Sequence, residues 1–558
     1  MRLVIILLLV LPALAHSVEF TSSNLPIIVI DSGSQPIPDE PKISASMGLI
    51  DNGPGQRNNL GDAFDGSQGP IAIELRGAST QNFPKKSYGL ETRQADGTNR
   101  NVSLLGLPTE NDWILYGPYS DKSLIRNALV YWLARQMGAW APRSRFCELV
   151  LDGEYMGLYL LMEKIKRDDD RLDIARLNPD EVEGRDLSGG YILRIDRPAA
   201  ADHGWYSAYG FRGNRLFYQY YYPDSDDIVA PQKAYIRTYI DSLETALAQS
   251  SGDYDRFLDL ASFADYIIVN EISKNVDAYR LSQFMHKDRD DGKLTMGPVW
   301  DFNLALGNVN YNVNPSLELQ RPSYHGLQIG NGATWFSVPF WFWWRRLFQD
   351  HDFIATLDQR WQTHRQESLQ WARIDAHIDS LAQTLQEAQE RNFERWPTLG
   401  EYVWPNDFIG QTHAEEIAYL KEWLQGRLAW LDEHFIDQAR RVDDIDADEL
   451  TLHRDTAVAL GNYAQPTDFT LDAAFPNPFN GRATIHFWLP TAARIDLAVY
   501  NLAGQQIATL ATGAHPDGTH VVTWNGRDDQ GDAAASGLYL YKLQAGPTAL
   551  SRKLILVR

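Results

Sequence analysis

Apolar positions along this chain change their spacing from region to region, and each spacing predicts an element. Between Phe20 and Thr92 they fall in short runs: 25–30 is apolar and β-branched, and 71–75 alternates in period two before Arg76-Gly77, which predicts strands joined by loops. Leu124, Ile125, Ala128, Leu129, Trp132, Leu133 and Met137 then share one helical face, with Ser120 as N-cap and Gly138 as stop. The runs 146–151 and 154–165 flank Asp152-Gly153, a pair suited to the positive φ angles of a tight hairpin. After a further strand at 190–195 the chain becomes mainly helical, with helices predicted over 234–248, 257–274, 353–372, 374–396 and 414–435. One hairpin interrupts them, 280–287 and 293–299 around the polar turn 288–292.

Near Arg440 the pattern breaks. Asp443, Asp444, Asp446, Asp448 and Glu449 form an acidic run, and no clear period follows to about Phe469, so 441–470 reads as a linker. From Leu471 short alternating runs at 484–489, 494–500, 506–510, 520–524, 537–544 and 552–556 predict a small β-sandwich over 471–558.

The 558 residues suit three or four domains of roughly 150 residues, or one large unit with a small one. With 44% apolar residues the chain has material for a sizeable core. Its 73 acidic against 51 basic residues leave no global field for nucleic acid or anionic lipid, so no nucleic-acid partner is expected. The single cysteine, Cys147, excludes an intramolecular disulfide and a Cys-rich zinc site. Arg2, the apolar run 3–14 and Ala13-Leu14-Ala15 predict a signal peptide over 1–15. The richest later run, 335–347, is broken by Pro339, Arg345 and Arg346, so no transmembrane segment is expected. These features predict a secreted or surface protein exported through the periplasm, and export without disulfides suits a bacterium.

Three clusters offer chemistry. Arg76-Gly77-Ala78-Ser79 and Pro84-Lys85-Lys86-Ser87-Tyr88 form a turn and a basic strand able to hold phosphate oxygens, although Lys pairs on strands are commonly solvated. Asp277 stands where an apolar helix gives way to a strand, the place for a carboxylate that accepts a hydroxyl proton or merely caps a turn. Asp301 and Asn303 close an apolar strand with oxygen ligands at i and i+2, suited to Mg²⁺ or again to a turn. His203 and His286 are isolated, and the Trp-rich block at 335, 341, 343 and 344 reads as core rather than as a sugar-stacking face.

The order of these pieces resembles a protein kinase, though the usual kinase spellings are missing. The stretches RGASTQNFPKKSYGLE, NDWILYGPYSDKSLIRNALVYWLARQMG, LVLDGEYMGLYLLMEKIKRD, SGGYILRID, NEISKNVDAYRLSQFMHKDRDDGK and GPVWDFNLALGN resemble the CotH family, spore-coat-protein-H-type atypical secreted kinases. The resemblance implies an α+β, kinase-like two-lobe fold over 16–440, with a β-rich lobe before a helical one. It implies ATP as phosphate donor, Mg²⁺ as ion, Asp277 as catalytic residue, Asp301 as catalytic residue and metal ligand together with Asn303, and Arg76 and Lys86 at the phosphates. Lys86 is preferred to Lys85 because period-two alternation lets only one of the pair face a cleft, and Glu163 lies on a hinge-like strand beside the adenine. The acceptor implied is a hydroxyl on a secreted or surface protein.

In the C-terminal region FPNPFN, LAVYNLAGQQIATL, HVVTWNGRDDQGDAAASGLYLYKL and RKLILVR resemble the FlgD-type Ig-like domain that ends many proteins of the type IX secretion system, which implies that machinery as a partner. Trp524 and Tyr539 are expected in its core. Its acidic loop Asp528, Asp529 and Asp532 reads as a solvated turn more than as a Ca²⁺ site. The competing reading of the whole chain is a kinase-like surface structural or interaction protein without transfer activity.

Overall fold

The computed structural model describes residues 18–77, 79–197, 203–211, 214–249, 252–289, 292–310, 325–328, 341–442, 450–453, 470–471, 474, 479–489, 491–501, 504–516, 518–546 and 548–557. The expected signal peptide, the acidic run, most of the expected linker and Trp335 lie outside them. The chain is mixed α+β and divides into two compact units, Met1–Thr451 and Leu452–Arg558.

The first unit begins with a closed seven-strand barrel, ordered Ile27–Asp31, Ile43–Ile50, Gly69–Arg76, Ser87–Thr92, Asp112–Tyr116, Glu154–Glu163 and Ser144–Leu151. A parallel pairing of Ile27–Asp31 with Ser144–Leu151 closes it. The expectation of a β-rich start did not include this closure, because pairing between distant strands leaves no local trace in sequence. Alternation supplies the interior: Ile71 and Ile73 point into the barrel core with Trp113, Leu115, Tyr159 and Leu161. On the same strands Ile114, Leu158, Leu160 and Met162 face outward into the main core, so these strands are apolar on both faces. The hairpin turns at Asp152 (φ 51°) and Gly153 (φ 82°), as Asp-Gly predicts.

The expected first helix forms over Arg126–Gln136, later than the Ser120 cap implied. The buried Asp121 carboxylate accepts the Arg126 amide N–H at 2.9 Å and its guanidinium at 2.6 Å, which holds the preceding residues in turns instead of a first helical turn. A second antiparallel sheet sets Leu294–Met296, Gln283–Lys287, Tyr191–Ile195, Asn214–Tyr222 and Gly204–Phe211 side by side. Its aromatic hairpin, Gly204–Phe211 with Asn214–Tyr222, corrects the expectation that the chain turns helical straight after Ile195. Trp205 stacks on Tyr218 with centroids 5.1 Å apart, a cross-strand pair of the kind that favours strands.

Helices Ala230–Ala248, Leu260–Ser273, His351–Gln366 and His413–Ala439 form where spacing predicts. The expected helix over 374–396 is instead two, Trp371–Thr384 and Gln386–Arg395. The break redirects the second onto the barrel, where Asn392 Oδ1 accepts the Leu158 N–H at 3.2 Å and Trp396 Nε1 donates to the Met156 carbonyl at 2.8 Å. Gly157 permits the approach: it lies at φ 94°, and a Cβ there would stand 2.8 Å from Asn392 Oδ1.

The second unit holds a sheet of Thr470–Leu471, Ala483–Leu489 and Gly518–Trp524 and another of Gln506–His515, Ala493–Asn501, Gly537–Ala545 and Thr548–Leu556. Trp524, Tyr539, Tyr541 and Leu497 share their core. In the acidic loop Asp528 accepts the amides of Gln530 and Asp532 at 3.0 and 2.8 Å, the arrangement of a turn closed on itself.

Candidate active site

In the first unit a cleft of about 550 Å³ is lined from the barrel by Arg76, Ser87 and Tyr116, from the second sheet by Arg194 and Tyr221, and by Asp196 just past the strand Tyr191–Ile195. Asp277, Trp300, Asp301 and Asn303 face it from the segments around the hairpin, and Asn127 and Tyr131 from the helix Arg126–Gln136.

Asp277 is placed by a helix end. Leu260–Ser273 stops at Lys274, whose φ of 44° turns the chain back. The Asp277 amide then donates to Asn275 Oδ1 at 3.2 Å, and its carboxylate accepts the Arg280 guanidinium at 2.7 Å. Arg280 also donates to the Val276 carbonyl at 2.8 Å, so one carboxylate oxygen is held to the turn.

Asp301 follows Leu294–Met296 and sits in left-handed backbone at φ 65°. Burial, with the negative charges of Asp277 and Asp196 nearby, pushes its carboxyl up to about 7, while Arg197 and Arg76 act the other way. A carboxylate raised by burial and by like charges gains from any cation brought beside it. Asn303 is buried, and its backbone carbonyl accepts from Asn308 Nδ2 at 2.8 Å. Among the described residues no three His, Cys, Asp or Glu side chains converge to hold a metal ion by themselves. Asp301 and Asn303 nevertheless offer the oxygen-only donors a hard ion takes when phosphate and water fill its remaining positions.

Arg76 ends the strand Gly69–Arg76, with its guanidinium carbon 5.7 Å from the centre of the Trp300 ring. The next residue must be glycine: Gly77 has φ 95°, and a Cβ there would lie 2.0 Å from Thr80 Oγ1.

The lysines are placed differently from the alternation argument, because the strand begins only at Ser87 and both lie in the bend before it. Neither lines the cleft. Lys86 donates to the carbonyls of Gln81 and Phe83, both at 2.7 Å. Lys85 is buried, bonded to the Leu158 carbonyl at 2.5 Å and Asn392 Oδ1 at 2.6 Å, and burial lowers its ammonium to about 7. Glu163 is also outside the lining: its carboxylate is fully buried and takes Arg143 Nη2 at 2.7 Å and Nε at 2.9 Å. Asp196, Arg194, Arg197 and Tyr221 are cleft residues that sequence reasoning passed over. A signal existed for two of them, since alternation along Tyr191–Ile195 puts Arg194 and Asp196 on one face.

Comparison with known proteins gives two family matches: the profile described as CotH kinase protein over residues 73–431, and that described as FlgD Ig-like domain over 477–548. No curated protein matches the chain. Among solved structures it is similar to dimeric latent PorU from Porphyromonas gingivalis, with 22% identity over 16% of this chain and 9% of that one and a TM-score of 0.15. It is also similar to Pseudomonas fluorescens alkylpurine DNA glycosylase AlkC bound to DNA containing an abasic site analog, with 11% identity over 39% of this chain and 67% of that one and a TM-score of 0.13. Overlaps this slight bear on neither fold nor function, and the chain spans under a tenth of the PorU chain. The family matches cover the cleft and the sandwich separately, and the chain belongs to the CotH kinase family, with a FlgD Ig-like domain following its kinase-family region.

Proposed function

We propose that this protein is an exported atypical kinase that transfers the γ-phosphoryl group of ATP to a hydroxyl of a secreted or surface protein. The observation that carries the reading is the meeting of Arg76, from the barrel, with Asp277, Asp301 and Asn303 in one cleft. We read the barrel and the mainly helical body as the two lobes of a kinase. In the reaction the bond between the γ-phosphorus and the β-bridging oxygen breaks, the acceptor oxygen bonds to that phosphorus, and ADP leaves. Asp277 orients the acceptor hydroxyl and takes its proton. Asp301 and Asn303 would hold Mg²⁺, which when bound neutralises charge between the β- and γ-phosphates. Arg76 binds phosphate oxygens, with Trp300 keeping its guanidinium in place.

On this reading Arg76→Ala raises the calorimetric Kd for Mg·ATP tenfold or more, a change of about 1.4 kcal/mol. Lys86→Ala, whose ammonium is already held by carbonyls, changes it less than threefold. The reverse order would return the phosphate role to Lys86. Asn303, which supplies an amide where a second carboxylate would strengthen metal binding, favours the competing scaffold reading. Mg·ATP binding without transfer to any added acceptor, or to the protein itself, would decide for that scaffold.

Export is proposed from the apolar N-terminal run and the FlgD Ig-like domain. Removal of 471–558 is expected to leave the first unit's unfolding transition in place, since its core is separate, and to strand the protein in the periplasm of a type IX-secreting host. Release of the shortened chain into the medium at the normal level would exclude the sorting role.

A further inference from the structure

The turn that carries Asp301 is held from outside its own strand. Asp301 (φ 65°) and Leu306 (φ 53°) adopt left-handed backbone, which costs a residue with a side chain on the order of 1–2 kcal/mol and persists where surrounding contacts impose it. At Leu306 the N–H donates to the Ser273 carbonyl at 2.7 Å, and at Asp301 the contacts come from the helix Arg126–Gln136. Asn127 and Tyr131, four residues apart on one helical face, accept two successive backbone amides: Phe302 N–H donates to Asn127 Oδ1 at 2.7 Å and Asp301 N–H to Tyr131 Oη at 3.3 Å. Arg126 reaches the far end of the turn, donating to the Leu306 carbonyl at 3.4 Å while Asp121 locks its guanidinium. The Tyr131 ring also stacks on Trp300, with centroids 6.0 Å apart, and Trp300 carries Arg76.

We propose that Asn127 and Tyr131 are positioning residues: together they clamp the amides on either side of the Asp301 α-carbon and so aim its carboxylate into the cleft. The direction of a side chain is set by the peptide planes flanking its Cα. In left-handed backbone those planes relax once their hydrogen-bond partners are removed. The proposal rests on the reading of Asp301 as the residue that holds the ion. A direct contact of either side chain with nucleotide predicts a different pattern, because it would act whether or not metal is present.

The test compares ATP affinity by calorimetry in excess Mg²⁺ and in EDTA for wild type, Tyr131→Phe, Asn127→Ala and Asn127→Asp, the last of which keeps an acceptor oxygen. Hydrogen exchange of the Asp301 and Phe302 amides is followed in the nucleotide-free full chain. Tyr131→Phe and Asn127→Ala are expected to weaken Mg·ATP tenfold or more and to leave affinity in EDTA within twofold. Asn127→Asp should recover most of the loss. The Asp301 amide should exchange tenfold faster in Tyr131→Phe, and the Phe302 amide in Asn127→Ala. Equal losses with and without Mg²⁺, or amide exchange unmoved by the substitutions, would overturn the clamp. If wild type shows no Mg²⁺-dependent ATP binding, the kinase reading fails, and amide exchange alone decides whether these side chains hold the turn.

Discussion

Asp277→Asn is expected to leave Mg·ATP affinity within about threefold and to lower turnover by on the order of 10²-fold or more. The amide keeps the carboxylate's shape and can still accept from Arg280, but it cannot take a proton from an acceptor hydroxyl. Asp301→Asn should behave otherwise. Its carboxylate lies under like charge from Asp277 and Asp196, so its worth is greatest when a cation is beside it, and its loss should abolish both the Mg²⁺ dependence of ATP binding and turnover. Calorimetric titration of Mg·ATP together with transfer of labelled phosphate to an added acceptor separates the two roles. A wild type that transfers phosphate while Asp277→Asn transfers it equally well would remove Asp277 from the mechanism.

The largest effect on stability is expected from Arg427→Leu. Arg427 and Glu271 are both 0% exposed and paired at 3.0 Å. Glu271 also accepts from Tyr279 Oη at 2.9 Å and from the Gln328 amide at 2.7 Å, and Arg427 Nε donates to the Glu271 carbonyl at 2.7 Å. Burial lowers the Arg427 guanidinium to about 10, with the Glu271 charge opposing that shift. Removing the arginine leaves a carboxylate in the core without its cation, a defect of about 3–5 kcal/mol. The double variant Glu271→Leu/Arg427→Leu should lose clearly less, because no uncompensated charge remains. Urea unfolding of the first unit, read for wild type, single and double variants, checks this; equal losses in the two variants would mean the charge is not what matters. Tyr279 is two residues from Asp277 and is tethered to Glu271, so the single variant should slow phosphate transfer as well.

Much of the molecule was legible residue by residue. Asp152-Gly153 announces its hairpin because positive φ is a property of those two residues, and the face from Leu124 to Met137 announces its helix because burial repeats with the helical period. Misreadings arose where a local rule met a distant partner. Ser120 is a good cap by type, but Asp121 binds Arg126 and delays the helix. The run 374–396 is helical throughout by spacing, but Asn392 and Trp396 must reach the barrel, so the helix breaks. Strand alternation favours Lys86 over Lys85 for a cleft, yet both precede the strand, and their ammonium groups are spent on Leu158, Asn392, Gln81 and Phe83.

By itself the sequence determined most of the strands and helices, the change of pattern near Arg440, and the presence of Arg76, Asp277, Asp301 and Asn303, because each depends on neighbouring residues or on a motif spelled in the chain. Tertiary structure alone decided that the strands close into a barrel, that Arg194 and Asp196 join the cleft, that Glu163 and Lys85 are buried partners of other groups, and that Asn127 and Tyr131 grip the Asp301 turn. The physical reason is range. Periodicity and turn chemistry act over a few residues, whereas hydrogen bonds between residues 127 and 302, and the burial that raises the Asp301 carboxyl, exist only once segments far apart in the chain have packed together.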